Sequence, residues 1–319
     1  MTTPEVTVVI PTRDRCRRLE LAVRSALAQT RVDLEVVIVD DGSVDATEQM
    51  ASSIRDLRVR YLRRPVSEGV SAARNLGIAE ARGRWIALLD DDDVWAPTKL
   101  ARQIDAMVSS GRTWSYAGDV VVDGELNILS GGPPPSPDEV VRLLERHDSV
   151  PAGASNVVVG ADALAAAGPF DPGLTSSEDW DMWIRLARAG PPDGVNGPLV
   201  AISSHRHNAS REAASMIRQL EVVADRYGIP VDRARHHRWV AWYAILEGRR
   251  ADAMRSYARA VAAGDVRSLA RAAAAILAPG YVLRRVRPTA DERDPWIVEA
   301  RAWLDALKQQ PEVSPCGHA

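Results

Sequence analysis

Apolar and polar positions over the first 112 residues alternate between two periods. Residues 5–12 (EVTVVIPT) form a β-branched run closed by Pro11, and residues 17–30 (RRLELAVRSALAQT) carry apolar side chains at helical spacing. The pattern then repeats. It predicts a strand and turn over 34–43 (LEVVIVDDGS), a helix over 45–56 behind a capping Asp45, and a strand over 58–62. A helix over 70–83 that stops at Gly83 and a buried strand over 85–90 (WIALLD) complete it. Such alternation predicts an α/β fold with a mostly parallel sheet flanked by helices. Ligands of these sheets bind beyond the carboxyl ends of the strands. At those ends the chain places Pro11 to Asp14, Asp40 to Ser43 and Asp90 to Asp93, three polar loops predicted to share one rim.

Beyond residue 113 the pattern loosens. Residues 131–137 (GGPPPSP) read as a rigid exposed connection, 155–160 (SNVVVG) as a strand, and 176–190 as a helix capped by Ser177 and stopped by Gly190. Residues 198–211 read as a strand running into a polar loop. Helical spacing then dominates over 212–227, 233–247, 250–263, 266–277 and 295–309. The stretch 242–264, with Gly248 at its turn, resembles one tetratricopeptide helix pair. A solenoid needs about three such units, so this predicts a helical appendage.

Composition narrows the function classes. With 319 residues, 46% of them hydrophobic, the chain has core enough for one large domain or two. The formal net charge of −3 gives no reason to expect nucleic acid as a partner. It hides an asymmetry: residues 1–199 carry net −9 and residues 200–319 net +6. Two cysteines, Cys16 and Cys316, are too few for a disulfide framework and fit a reducing compartment. The start has no basic leader followed by an apolar stretch, and no apolar run approaches the roughly 20 residues of a membrane span. A cytoplasmic location is the expectation.

The run Asp90-Asp91-Asp92-Asp93 then needs a reason. Unit charges about 4 Å apart repel by roughly 1 kcal/mol in water and about 4 near a protein surface. A divalent cation converts that repulsion into binding, and carboxylate oxygens suit Mg²⁺ or Mn²⁺. Such a cation can act as a Lewis acid that takes up developing negative charge.

Five segments together resemble glycosyltransferase family two, inverting sugar transferases of the GT-A type: residues 8–15 (VVIPTRDR), 38–47 (VIVDDGSVDAT), 68–93, 176–186 (SSEDWDMWIRL) and 204–210 (SHRHNAS). The resemblance implies a GT-A unit over 1–211, with a nucleotide-sugar half at 1–112 and an acceptor half at 113–211, followed by a helical extension over 212–319. It further implies a hexosyltransferase that moves a sugar from a nucleoside diphosphate, UDP favoured over thymidine or guanosine donors, to an acceptor hydroxyl. The acceptor class stays open among saccharide, lipid-linked saccharide, natural product and peptide.

Residue by residue, the resemblance places Pro11, Thr12, Arg13, Asp41 and Arg74 at the nucleotide. Asp41 matches the position that reads the base, where a carboxylate accepts from the N3–H of uracil; Asp40 could equally orient the loop. Arg74 approaches base or diphosphate, or else pairs with Glu68 or Glu80. Asp90, Asp91 and Asp92 match the DxD motif: Asp92 contacts the metal, with Asp90 and His207 in the set, while Asp90 and Asp91 serve the ribose or metal-bound waters. Asp93 caps the turn into the next helix. Asp179, with Glu178 beside it, matches the general base, its position at a helix N-terminus keeping its pKa low. Trp180 stacks on a sugar face, and Arg206 and Ser210 bind phosphate. The arginine-rich tail offers a face for an anionic membrane surface or acceptor.

Two rivals remain. A nucleotidyltransferase would carry a glycine-rich phosphate loop after the first strand, and residues 10–18 contain no glycine. A catalytically silent nucleotide-sugar-binding or scaffold protein would use the helical tail as its working surface.

Overall fold

The computed structural model describes residues 3–30, 32–203, 213–246, 249–277 and 291–310. The first half follows the predicted alternation: β1 (Val6–Thr12), α1 (Cys16–Leu27), β2 (Leu34–Asp40), α2 (Thr47–Ser53), β3 (Val59–Arg63), α3 (Val70–Ala79) and β4 (Trp85–Leu88). After it come β5 (Val94–Trp95), α4 (Lys99–Ser110), β6 (Trp114–Val122), β7 (Ile128–Gly132), α5 (Pro137–Leu144), β8 (Val158–Gly160), α6 (Ala161–Ala167), α7 (Glu178–Ala189) and β9 (Asp193–Ser203). The helices α8 (Ala213–Tyr227), α9 (Arg233–Leu246), α10 (Arg250–Ala262), α11 (Ser268–Leu277) and α12 (Pro295–Lys308) complete the described chain.

One sheet runs β3-β2-β1-β4-β8-β6-β9-β5, with β7 added on β6. The strands β3, β2, β1 and β4 are parallel; β1, β2 and β4 are the near-continuous apolar runs expected of strands buried on both faces, whereas the edge strand β3 is half-buried. The second half departs from the parallel expectation. β8 runs antiparallel between β4 and β6, while β6 and β9 pair in parallel and β5 lies antiparallel on β9. β6 and β7 have no counterpart in the sequence reading; β7 overlaps what read as an exposed connection.

Alternate residues of β1 serve opposite cores, as the period of two requires. Val8 and Ile10 pack with Leu19, Ile38, Met50 and Trp95. Val9 packs with Leu88, Trp114, Trp180, Trp183 and Val223. Gly83 permits the tight entry into β4, because a Cβ there would lie 2.4 Å from the Thr7 nitrogen.

The helical segments do not all stand apart from the sheet. Val223 and Ala224 of α8 join the second core, and Ile297, Ala300, Leu304 and Leu307 of α12 cover Val94, Val120, Val122 and Ala201. Gly118 seats Trp296, whose ring lies 2.3 Å from where a Cβ would stand. Only α9 to α11 keep a small core of their own, around Ala241, Ala244, Ile245, Ala253 and Tyr257. Gly248 lies outside the described residues. Cys316 lies outside the described residues. Among the described residues no helix is long and apolar enough to cross a membrane.

Candidate active site

The parallel strands β1, β2 and β4 end together, and their loops line a cavity of about 520 Å³, within the usual range for small-molecule sites. Pro11, Thr12, Arg13, Asp41 and Arg74 all line it, with Asp90, Asp91 and Asp92 along one side.

At the end of β1, Thr12 Oγ1 donates to Asp91 Oδ2 at 2.7 Å. Arg15 Nη1 donates to Asp91 Oδ1 at 3.0 Å and to Asp92 Oδ2 at 2.5 Å. Burial pushes the Asp91 carboxyl up to about 6, against the pull of Arg15. Arg15 was not picked out from the sequence, although it stands two residues from Arg13 in the first motif. Its guanidinium supplies positive charge where the sequence placed a metal.

At the end of β2 the two aspartates divide the work differently from the expectation. Asp40 is fully buried and accepts from the Tyr61 hydroxyl at 2.5 Å and the Ser43 amide at 2.7 Å. Asp41 accepts from Ser67 Oγ (2.6 Å), the Glu68 amide (3.0 Å) and the Gly69 amide (2.8 Å), and Arg64 Nε lies 3.4 Å away. A carboxylate has about four lone-pair positions. In this arrangement Asp41 spends them on the 64–69 loop, with none aimed at a base. Arg13 braces the same loop through Ser67 Oγ at 2.9 Å.

The acidic run after β4 splits by direction. Asp93 does not cap the following turn: it is buried, accepts from Ser155 Oγ at 2.6 Å and from the Ser203 amide at 3.0 Å, and burial pushes its carboxyl up. Asp93 therefore joins the rim to the end of β9. Asp90 receives Arg74 Nη2 at 2.7 Å.

Arg74 binds neither Glu68 nor Glu80, which pair with Arg64 and Arg60. Its guanidinium is buried and bridges the two halves of the site, with Nη1 donating to Glu178 at 2.9 Å and to Asp179 at 2.8 Å. Asn75, next along α3, fixes this geometry by exchanging two hydrogen bonds of 2.8 Å with the Phe170 backbone. The Phe170 ring lies 5.4 Å from the Arg74 guanidinium.

Asp179 also accepts from the Ala154 amide at 3.1 Å. Burial pushes its carboxyl well above the ordinary range, Glu178 and Asp90 adding to the effect, although Arg74 opposes it. The expected lowering by the helix N-terminus is thus outweighed. The end of α7 is also built differently. Ser177 makes no side-chain cap and adopts φ +65°, a left-handed conformation that costs a non-glycine residue about 1–3 kcal/mol. Trp180 is not available to a sugar: it is 1% exposed and donates from Nε1 to the Leu144 carbonyl at 2.9 Å. Trp183 stacks on Trp114 in the same core.

Arg206, His207 and Ser210 lie outside the described residues. Among the described residues no group of three or more His, Cys, Asp or Glu side chains is gathered closely enough to hold a metal. Asp90 and Asp92 turn to different arginines, Arg74 and Arg15. Their hard oxygen donors, half-open to the cavity, still fit Mg²⁺ or Mn²⁺ in kind.

A parallel half-sheet with acidic loops at its carboxyl edge, continued by a mixed half-sheet, is the architecture of GT-A glycosyltransferases. The Staphylococcus aureus TarS fragment 1–349, solved in complex with UDP-GlcNAc, superposes with a TM-score of 0.58 at 14% identity, covering 96% of this chain and 92% of that one. Residues 7–127 match the family described as Glycosyl transferase family 2. The succinoglycan biosynthesis protein ExoO of Rhizobium meliloti is 44% identical over 108 residues, 34% of this chain and 31% of that protein. The Escherichia coli protein WfgD, named a UDP-Glc:alpha-D-GlcNAc-diphosphoundecaprenol beta-1,3-glucosyltransferase, is 25% identical over 216 residues, 68% of this chain and 82% of that protein. Over residues 7–127 the chain is thus similar to glycosyltransferase family 2, and its fold is of the GT-A type. It spans about a third of the length of the first curated relatives it matches.

Proposed function

We propose that the chain transfers a sugar from a nucleoside diphosphate, a UDP-sugar by preference, to a saccharide hydroxyl with inversion at the anomeric carbon. One observation carries the reading: Arg74 joins Asp90 on the donor rim to Glu178, which lines the cavity, and to Asp179 beside it, whose carboxyl burial pushes up. Asp179 is the general base that receives the acceptor proton, a role worth about 10² to 10⁴ in rate. A raised pKa suits it, since a base poised near the working pH both ionises and accepts well. Arg74 holds that base beside the rim, and Glu178 shares the same guanidinium. A single in-line attack is the step proposed for that one base.

A divalent cation would be held by Asp92 with Asp90 and His207, and would supply Lewis-acid relief for the departing diphosphate. Arg206 and Ser210 would add charge and a hydrogen bond to the phosphates. Asp41 acts on the base through the 64–69 loop that it organises. The UDP preference draws on the names of WfgD and of the TarS complex; the saccharide acceptor draws on WfgD and ExoO. In this division residues 1–112 serve the donor, 113–211 the acceptor, and 212–319 extend the unit. A hydroxyl on a lipid-linked saccharide would meet the protein from the cytoplasmic side. Contact with anionic lipid would fall to Arg235, Arg250, Arg259 and Arg267, exposed and without a carboxylate partner among the described residues.

The test is release of UDP from a panel of UDP-sugars, read with and without saccharide acceptors and Mn²⁺. Release above background that an acceptor accelerates, with a β-linked product from an α-linked donor, agrees with the reading. A retained anomeric configuration removes Asp179 as sole base, and binding without any turnover returns the chain to a silent binding protein.

A further inference from the structure

We propose that Gln219, on α8, is a positioning residue for the catalytic base, a role that rests on the reading of Asp179 above. The amide of Gln219 grips the two residues that lead into the base-bearing turn. Its Oε1 accepts from the Thr175 amide at 2.7 Å, the Ser176 amide at 2.6 Å and Ser176 Oγ at 3.2 Å. Its Nε2 donates to Thr175 Oγ1 at 2.6 Å. No other described side chain takes these two amides.

The segment needs such a hold. Ser177 stands in a left-handed conformation and offers no cap, so the first turn of α7 does not secure its own entry. Two residues further on, Asp179 must keep its place between Arg74 and the Ala154 amide. Ser71 of α3 adds a hydrogen bond of 3.1 Å to the Leu174 carbonyl, and Thr175 itself lines the donor cavity. A second clasp from α8 lies just past the base. Arg226 Nη1 and the Tyr227 hydroxyl donate to Asp181 Oδ1 at 2.6 and 2.8 Å, while Arg185 satisfies the other oxygen. The helix α8 therefore spans the base from Thr175 to Asp181 and splints it from outside. Asp181 is wholly buried, which fixes the far end, and Gln219 fixes the near one. The first helix of the apparent appendage thus belongs to the catalytic apparatus.

The experiment compares the wild type with Gln219→Leu, Gln219→Glu, Val223→Ala and Asp179→Asn, all as full chains. It reads hydrogen exchange over 174–181, UDP affinity, and UDP release from UDP-glucose and UDP-GlcNAc with water as acceptor. Gln219→Leu should speed exchange at Thr175 and Ser176 about tenfold or more. It should lower kcat about tenfold, with KM and UDP affinity held within about twofold, because a small displacement of a positioned base costs rate before binding. Gln219→Glu still presents an acceptor to both amides and should recover to within about threefold of wild type. Val223→Ala thins the core contact of the same helix without touching the clasp; it should leave exchange at 175–176 and kcat unchanged. Wild-type exchange in Gln219→Leu overturns the proposal, as does an equal kcat loss in Val223→Ala. Should neither donor be hydrolysed by the wild type, the exchange arm alone decides. Wild-type turnover in Asp179→Asn sinks the base assignment instead, and leaves the exchange result to say whether Gln219 orders the segment.

Discussion

Arg74 and Asp265 make opposite use of the same ion-pair chemistry. Arg74 is one buried guanidinium shared by Asp90, Glu178 and Asp179. Asp265, at the turn between α10 and α11, is one carboxylate shared by Arg238 and Arg271, each at 3.0 Å, with Ser268 Oγ at 2.7 Å. The Ser268 hydrogen bond and the two arginines hold Asp265 below the usual carboxylate range, and its arginine partners reach into solvent. Excess negative charge gathered in a buried place is unstable by itself, so Arg74 sets the protonation and position of everything around it. Charge that solvent screens contributes little and can be exchanged. The same distinction covers the tail: Arg226, Arg233, Arg249 and Arg255 all find carboxylates, which accounts for much of the basic excess as structural pairing.

The largest effect should come from Arg74→Met, which leaves three carboxylates without their guanidinium. Removing one partner of a buried ionic group costs about 3–5 kcal/mol, so denaturant melts should show that loss together with loss of turnover. A variant with wild-type stability would make Arg74 no different in kind from the arginines at Asp265. Next, Asp179→Asn should reduce turnover about 10² to 10⁴ while UDP affinity in calorimetry is kept.

A pH test sharpens the buried side further. The carboxyl of Asp91 titrates near 6 when folded against an ordinary value of 3.8. Its folded pKa is raised, so the stabilisation is complete below about pH 4 and is lost as pH rises toward 6, by up to about 3 kcal/mol. Thermal melts in chelator across that window should fall with pH for the wild type and flatten in Asp91→Asn. Parallel curves for the two proteins would put the titration elsewhere. Smaller again is the metal effect. UDP should bind about tenfold more tightly in Mn²⁺ than in chelator, about 1.4 kcal/mol, and Arg15→Gln should widen that gap by removing the competing cation. Equal affinities in both buffers would take the metal out of donor binding. Least of all, Asp265→Asn should leave UDP release and UDP affinity at wild-type values.

The first 112 residues were legible in the sequence because their strands are short apolar runs, their helices keep a regular period, and their acids fall at strand ends. The three loops do meet at one cavity. Legibility failed where the information was not local. The partners of Arg74 on α7 lie more than a hundred residues away, and no spacing announces them. β5 has two residues, too few for any period, and β6 is broken by Gly118, whose purpose is visible only once Trp296 fills it. The expectation that Trp180 stacks on a sugar face fails on burial. The neighbour of Trp180 at i+3 shares the same inward face, and both belong to the core. Asp41 matched its motif in position, and the structure turned its acceptors inward on the chain.

The seat of Trp296 against Gly118 also has a clock in it. About 180 residues separate the two, and a ribosome adding roughly 5–20 residues per second needs on the order of 10–35 s to deliver the second after the first. The strip formed by Val94, Val120, Val122 and Ala201 is complete only once residue 201 is made, and for the remaining roughly 95 residues, on the order of 5–20 s, it lacks the cover of α12. The rim of strand-end loops can be assembled from residues already made, but the back of the sheet cannot be closed. A nascent chain of this protein therefore carries that β-surface exposed for on the order of 10 s, and a chaperone that shields such surface has that long to act.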